Sequence, residues 1–590
     1  MLKVKKICYL MTCFLLLTTY SAAQTVYEPI SHDDIYKFLG RMAQKGVIKF
    51  SDNIRPVSRK YIAEKLEELQ KSEAGPALRG GSQKSEGMLN VLEREELEFY
   101  LKDFGLERSM LSYNSEIRNP KSEIDQIDTF DDTLLRNDDL AYRQAGSKLF
   151  GYDEYGRWRL FSYSSDLFKV NVSPIIGVEM GTNDGTKQTH TWNGVSMYGY
   201  LTDKIGFNFY FRDNDESGDN ISWSKAFTPQ TGVVVAKGSS NSIQYSEVHA
   251  NISTDWPWGE FTIGKDFINW GYGESGLLVL SDKAPSFPFI RLDIHPTDWL
   301  RFNYVHAWLS SNVIDSVSSY PTYRNGITRD VFRNKFLASH TLTLTPLKGL
   351  DVSLGESIVY SDKLEISYLM PIMFFRLADH YLSNGNNDAG SNSQFFLGVS
   401  SKNNIKNTHI YGTWFIDEIT ASGLFDSQKQ RNQFGFTLGA SVTDLPIDNL
   451  TLTAEYTRIN PFVYSHYIPT QTYESSSYLM GHWMGYNADL IYASLNYRFI
   501  RGLQATVWGE YIRKGGAGIV DQQYQQPQPE FLFGLRNNYT YLGLDIKYEI
   551  MHELFVRGKF QSSLISSEQA NGAFVDTGTN QFFVSFYYGL

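Results

Sequence analysis

Cysteine is nearly absent. Cys8 and Cys13 are the only two in 590 residues, and both lie in an opening stretch with the layout of a secretory signal peptide. Lys3, Lys5 and Lys6 supply the charged start, an apolar stretch runs from Ile7 to Leu17, and Ser21-Ala22-Ala23 is a small-residue cleavage site. The apolar stretch falls short of the roughly 18 residues a spanning helix needs. The expectation is a signal over 1–23 and a mature chain from near Gln24 without cysteine. That excludes a disulfide framework, a cysteine nucleophile and thiolate metal ligation. Neither cysteine stands at the cleavage point, so a lipid anchor on cysteine is not expected.

Long apolar runs are missing after the signal, so helical membrane spans are not expected. Basic charge is also short: 54 Lys and Arg stand against 65 Asp and Glu, a formal charge of −11. An acidic chain does not suit a nucleic-acid partner, whose phosphates need cations. No histidine pair has helical zinc-ligand spacing. The histidines at 190, 306, 380, 466 and 482 fall in no spacing with serine that implies a nucleophile and its base. No catalytic residues, metal or cofactor, and no enzymatic activity, are expected.

Aromatic residues, by contrast, make up 15% of the chain, mostly Tyr and Phe. From about Tyr155 to Leu590 they fall into a period of two. Ile205, Phe207, Phe209 and Phe211 alternate with Gly206, Asn208, Tyr210 and Arg212. Phe434, Phe436, Leu438 and Ala440 alternate with Gln433, Gly435, Thr437 and Gly439. The same holds for Leu450 to Thr457, Ile491 to Phe499 and Leu542 to Glu549. One oily and one wet face per strand also suits a soluble sandwich. Three features favour a transmembrane barrel. The oily face is aromatic at strand ends, as an interfacial girdle requires. Strand-like segments continue over more residues than one sandwich holds. The chain ends on a strand with Phe582, Val584, Phe586, Tyr588 and Leu590 on one face. The expected fold is therefore an all-β transmembrane barrel of roughly 18 antiparallel strands. Its sheet must close because lipid offers no hydrogen-bond partners. Its interior is too wide for side chains alone to fill, so it holds water, inward loops or a plug. Arg212, Glu455, Arg498 and Glu510 are candidates to line a hydrated lumen.

Before the barrel, residues 24–110 read as a small helical periplasmic region. Ile35, Phe38, Leu39 and Met42 share one face of a helix after His32-Asp33-Asp34, and Gly46 ends it. Pro56-Val57-Ser58 opens a second helix, a linker occupies 73–87, and a third short helix runs from Glu93 to Leu101. Residues 111–154, acidic between Ser122 and Asp139, link this region to a barrel over 155–590.

Several local patterns are read and set aside. Gly271-Tyr272-Gly273-Glu274-Ser275-Gly276 matches the dinucleotide spacing, but Leu277 to Leu280 follow where a helix is needed, so a tight loop between strands is expected. Asp213 to Asp219 resembles the start of a calcium loop but has Ser224 where a bidentate Glu belongs, so a solvated acidic loop is expected. From Leu364 to Asp388 the alternation breaks. Met370 to Leu377 and Asp379-His380-Tyr381 read as an apolar helix too short to span, either an inward constriction or an extracellular loop helix.

At three places the sequence resembles the Wzi family of outer-membrane capsule-assembly proteins. The first runs from Gly264-Lys265-Asp266-Phe267 through Trp270-Gly271-Tyr272-Gly273 to Ala284-Pro285-Ser286-Phe287-Pro288. The second is the Pro371 helix with Asn386-Asn387-Asp388. The third comprises Tyr456-Thr457-Arg458, Tyr464-Ser465-His466, Gly481-His482 and Gly485 to Asp489. The resemblance implies a cell outer-membrane barrel lectin that holds capsular or surface polysaccharide without chemistry, in contact with outer-membrane lipid. Trp270, Arg376, His380, Asn387, His466 and His482 are its candidate glycan-binding residues, and Gly271 and Gly273 set backbone geometry. Arg55 to Ala63 also resembles half of an S-layer-homology repeat, which would offer cell-wall contact through the N-terminal helices. The rival reading is a porin-like or solute-specific channel.

Overall fold

The computed structural model describes residues 25–74, 89–118 and 146–589, without 203, 236, 384–389, 419–431 and 526. The signal segment, the acidic stretch from Ser122 to Asp139 and Asn386-Asn387-Asp388 lie outside the described residues.

Eighteen antiparallel strands form a closed barrel, from Phe168–Asn183 round to Phe574–Tyr588. The last strand pairs with the first, Gln581 opposite Asn183 through Tyr588 opposite Ile176. A hairpin of Gly146–Tyr152 and Trp158–Ser164 fills the rest of that first strand's edge, Phe161 opposite Val172. Pairing of the first and last strands closes the seam that would otherwise face lipid.

Alternation decides which residues meet lipid. Phe582, Val584 and Phe586 are about half exposed on the outer wall, while Phe583, Ser585 and Tyr587 between them line a cavity inside. The same register puts Ile176 and Met180, Leu342 and Leu344, Leu354, Leu438 and Leu542 outside. A continuous exposed apolar wall on a closed barrel is the surface a bilayer demands. No helix among the described residues is long and apolar enough to cross a membrane.

Two sets of connections differ in length. At one end the strands are joined by short turns, as at Trp256–Gly259 and Arg498–Leu503. At the other end long segments intervene, and two of them turn inward. Residues 267–286 and 460–487 fold into the lumen and build an apolar core there. Trp270, Leu278, Val279, Leu280, Tyr464, Tyr473, Met480 and Trp483 pack with the inward residues Val305, Ala307, Leu337, Val359 and Phe415.

The N-terminal helices Asp33–Gln44, Arg59–Ala74, Val91–Asp103 and Gly105–Arg118 close the short-turn end. Their apolar stripes meet in one core of Phe38, Leu39, Met42, Ile62, Leu66, Leu69, Leu97 and Phe104. Asn90 and Glu93 form a capping box that fixes the start of the third helix. The fourth helix runs past residue 110, and strand structure begins at Gly146. Ion pairs dock the helices on the barrel: Lys45 with Asp444 at 2.8 Å, Lys60 with Asp255 at 2.7 Å, Lys402 with Asp52 at 2.7 Å and Arg498 with Glu96 at 2.6 Å. The chain from Ile54 to Arg55 goes further. It enters the lumen and pairs antiparallel with Asn269–Trp270.

Three expectations are corrected. Asp213 to Gly218 is not a loop but the end of strand Ile205–Gly218. There Asn214 and Glu216 point inward and are hydrogen-bonded, so the long loop begins only at Asp219. The Gly271 to Gly276 stretch is not a tight turn but part of the segment that crosses the lumen. The segment after Leu364 is neither an inward plug nor a loop standing above the rim. Its helix, Phe375–Ser383, lies against the outer wall, on Tyr304, Phe336, Ala338, Ile358 and Tyr360. Those residues share the register of the exposed Leu342, Leu344 and Leu354.

Candidate functional site

The plug fills one side of the lumen and is held by side chains from the wall. Glu455, on an inward register, accepts the backbone N–H groups of Glu274 at 2.7 Å and Ser275 at 3.0 Å, and the Tyr411 hydroxyl at 2.7 Å. Tyr464 and Tyr473 donate their hydroxyls to the carbonyls of Leu278 and Val279, at 2.8 and 2.9 Å. Trp483 donates its indole N–H to the Ser275 carbonyl at 2.6 Å. Gly271 has φ +108°, and a Cβ on Gly276 would stand 2.6 Å from the His482 ring. Glycine is thus required where the segment turns under His482.

Beside this plug a cavity of about 850 Å³ remains. It runs between strands Phe168–Asn183, Thr186–Leu201 and Ile205–Gly218 on one side and the last five strands on the other. Ser31 and Gly589 belong to its floor, and residues 220–233 to its upper wall. Its size lies within the roughly 300–1,000 Å³ of ligand pockets. Aromatic side chains on inward registers give it flat faces. Trp192 sits with its ring centroid 4.8 Å from His190 and 5.8 Å from Tyr587, and Trp508, Tyr492 and Tyr541 face it from the opposite wall. Phe227 reaches in from the upper loop and packs on Trp483 at 5.3 Å and Tyr539 at 4.7 Å.

The charges around the cavity are largely spent on one another. Arg212 pairs with Glu247 at 3.0 Å, Lys225 with Glu216 at 2.7 Å, Lys559 with Glu179 at 2.7 Å, and Arg557 with Asp545. Tyr245 donates to Glu216 at 2.8 Å. Glu274 and Glu510 also line the space, so it leans acidic. The four cations that line it are all engaged by carboxylates. The arrangement offers flat apolar faces ringed by fixed hydrogen-bond donors and acceptors. Among the described residues no cluster of His, Cys, Asp and Glu is set to hold a metal ion.

The residues singled out from the sequence lie elsewhere. Trp270 is 1% exposed, deep in the plug, with its ring edge-on to Phe396. His482 is fully buried there, and burial lowers its pKa to about 3, so the imidazole is neutral. Both belong to the plug beside the cavity. Arg376 and His380 stand exposed on the outer-wall helix. His466 belongs to the 460–487 segment, its ring tilted against Tyr467 at 4.6 Å and accepting the Ile468 N–H at 3.2 Å. Asn387 lies outside the described residues. Of the four expected lumen residues, Arg212 and Glu510 line the cavity. Glu455 is committed to the plug and Arg498 to Glu96 of the N-terminal helices. In the stretch from Arg55 to Ala63 the cations are turned to internal partners: Arg55 to Asp52, Arg59 to Glu28 and Glu107, Lys60 to Asp255.

The sequence carries a signal for the cavity residues: Trp192, Trp508, Tyr492, Tyr541 and Tyr587 are aromatic on the wet register of their strands. An aromatic face where a polar residue is expected has no lipid to meet.

The model of the family described as capsule assembly protein Wzi matches residues 223–571. A search of curated proteins finds no match. Among solved structures, the Escherichia coli outer-membrane protein Wzi, involved in group 1 capsule assembly and described as a carbohydrate-binding β-barrel, superposes with a TM-score of 0.51. The match is 11% identical and covers 96% of this chain and 100% of that one. At that identity the likeness speaks for the fold. Pseudomonas aeruginosa OccD3 has a TM-score of 0.40 at 12% identity, over 71% of this chain and 91% of its own. Acinetobacter baumannii OccAB4 has 0.39 at 12% identity, over 72% and 98%.

Proposed function

The chain belongs to the capsule assembly protein Wzi family, and from that premise we propose that it is a non-enzymatic outer-membrane barrel that binds surface or capsular polysaccharide in its lumenal cavity. The observation that carries this reading is the cavity beside the plug: Trp192, Trp508 and Tyr541 on inward registers, among ion-paired Arg212, Lys559 and Arg557. Sugar rings present one apolar face and a rim of hydroxyls. Aromatic faces take the first, and carboxylates and guanidiniums fixed in pairs take the second. Because the pairs are already formed, recognition costs little reordering of long side chains. The proposed glycan residues are therefore Trp192, Trp508, Tyr541 and their charged neighbours, with Trp270 and His482 positioning the plug behind them.

The helical region, on this reading, faces the periplasm and caps the barrel at its short-turn end. A channel reading needs a continuous water path. Here Ile54 and Arg55 pair with the inward segment and leave the helices and plug interlocked, which supports holding a polymer over conducting solutes. The test is titration of the detergent-folded chain with oligosaccharides released from the producing cell's surface polymer, with planar-bilayer current recorded on the same sample. Saturable binding without steady current is expected. Steady current with no oligosaccharide bound would move the chain to the channel reading, and glycan cleavage products would make it an enzyme.

A further inference from the structure

The segment that packs on the outside of the barrel has an unusual division of its side chains. The N–H groups that open its helix, the Pro371 carbonyl and the Asp379 carboxylate turn inward. Glu356, on the outward register, accepts the N–H groups of Phe375 at 2.9 Å and Arg376 at 2.6 Å, the free donors at the start of the helix. His340, also outward, bonds to the Pro371 carbonyl at 3.0 Å, and Tyr368 donates to Asp379 at 3.2 Å and accepts at its carbonyl from Tyr304 at 2.7 Å. Phe375 is buried between them. Besides the apolar side chains that pack on the wall, a second set turns away from the protein. Ile372 is 88% exposed, Ile366 68% and Leu377 62%, with Met370 and Phe374 about half exposed. On the helix, Leu377 and Tyr381 form one exposed stripe, and Arg376 and His380 form the next.

In water, leaving Ile366, Met370, Ile372, Phe374 and Leu377 bare forgoes the stabilisation of burying them. The arrangement fits an element whose outer solvent is hydrocarbon at its edge. Leu342, Leu344 and Leu354 lie on the same strands and register just below it, exposed as the bilayer-facing wall, so the apolar surface runs from wall to segment without a break. We propose that residues 366–383 are an interfacial foot: they lie in the leaflet at the long-loop end, with Ile366, Ile372 and Leu377 among acyl chains. The occupant of this surface is bilayer lipid. The Arg376 and His380 stripe beside it meets the headgroup layer, as on amphipathic helices that rest in an interface. The foot also shields Glu356, His340 and His306, three polar residues on a register that otherwise meets lipid.

Because both cysteines lie in the first 13 residues, single-cysteine variants of the processed barrel carry one label each. Ile372→Cys and Leu377→Cys would be spin-labelled in lipid nanodiscs and compared with Leu354→Cys on the wall and Tyr323→Cys in an exposed loop. The ratio of collision with oxygen to collision with a water-soluble nickel chelate is expected to match Leu354 at both positions and to exceed that at Tyr323 several-fold. A ratio equal to that at Tyr323 would overturn the proposal, since the segment would then stand in water. Dipolar broadening between labels on two barrels would overturn it in favour of a second copy of the chain. A label that distorts its own site is controlled by Ile366→Cys, which lies outside the helix and must give the same answer.

Discussion

Ile54 of the N-terminal region and Trp270 of the barrel's inward segment are opposed residues of one antiparallel pair inside the lumen. The Gly271 N–H extends the pairing to the Asn53 carbonyl at 2.8 Å, and Asn53 reaches the wall at Ser353. The plug and the helical cap are thus one hydrogen-bonded body. The expected consequence is electrical. The unaltered chain in a planar bilayer gives no steady open level, whereas replacing residues 271–284 by a short Gly-Ser linker gives discrete steps. An intact chain that conducts as steadily as the loop-deleted one would show that the plug does not seal the lumen.

Glu356→Gln tests the cap that holds the outer helix. The carboxylate receives two N–H donors at the positive end of the helix dipole, an interaction of about 1–2 kcal/mol in a partly buried setting. Its loss is expected to raise local opening roughly tenfold, at about 1.4 kcal/mol per decade. The readout is trypsin cleavage after Arg376 in detergent, which speeds up in proportion when opening is fast relative to cutting. The far strands and the folded band on a gel stay unchanged. An unaltered cleavage rate would mean that Phe375 and the aromatic contacts alone hold the helix.

The barrel was legible because alternation is a statement about solvent. Phe207, Phe209 and Phe211 repeat with period two only if one side of the strand is oily, and a chain of such strands without an edge must close. The helix containing Phe38 and Met42 was legible for the parallel reason at period 3.6. The destination of a broken alternation was not. Nothing in Met370 to Tyr381 says whether an apolar helix turns into the lumen or over the wall, because both surroundings are apolar. The choice is made by Glu356 and His340 on the two preceding strands, whose outward register shows only once the strands are aligned. The surroundings of Trp270 were hidden for a related reason. The residue stands out by its place in a family-like Trp-Gly stretch, and only its pairing with Ile54 shows that it is core.

Trp192→Ala should weaken oligosaccharide binding by about tenfold or more, the loss of one aromatic face at roughly 1–2 kcal/mol, without lowering the unfolding temperature, because Trp192 faces the cavity. Trp270→Ala should instead cost about 3–5 kcal/mol as a buried aromatic deletion and alter binding only through loss of fold. Binding should also change little between low and high salt, since Arg212, Lys225, Arg557 and Lys559 are already paired with carboxylates and none is left to release counterions. Titration calorimetry at two ionic strengths decides this. A steep salt dependence would place the site on cations outside the cavity.

The docking of the N-terminal helices should depend on pH through His32 and Glu28, which are in contact, with Arg59 on the other Glu28 oxygen. Burial alone would lower the His32 pKa, but the Glu28 carboxylate, with Glu553 and Asp103 beyond it, more than offsets burial and raises it to about 9. Burial likewise opposes ionisation of Glu28, and Arg59 and His32 outweigh it and lower its pKa. The signs follow. A histidine raised from 6.5 binds its proton more tightly folded than unfolded, so its contribution is full below 6.5 and disappears as pH rises through about 9. A carboxyl lowered from 4.5 contributes fully above 4.5 and loses that contribution as pH falls through its lowered value. Docking is therefore strongest between about pH 5 and 6.5. Hydrogen exchange of the Asp33–Gln44 helix, corrected for the intrinsic rate, should show protection falling between pH 7 and 9.5. His32→Gln should remove that fall while leaving the barrel strands as they were. A protection profile that declines identically in both proteins would assign the alkaline loosening to another group.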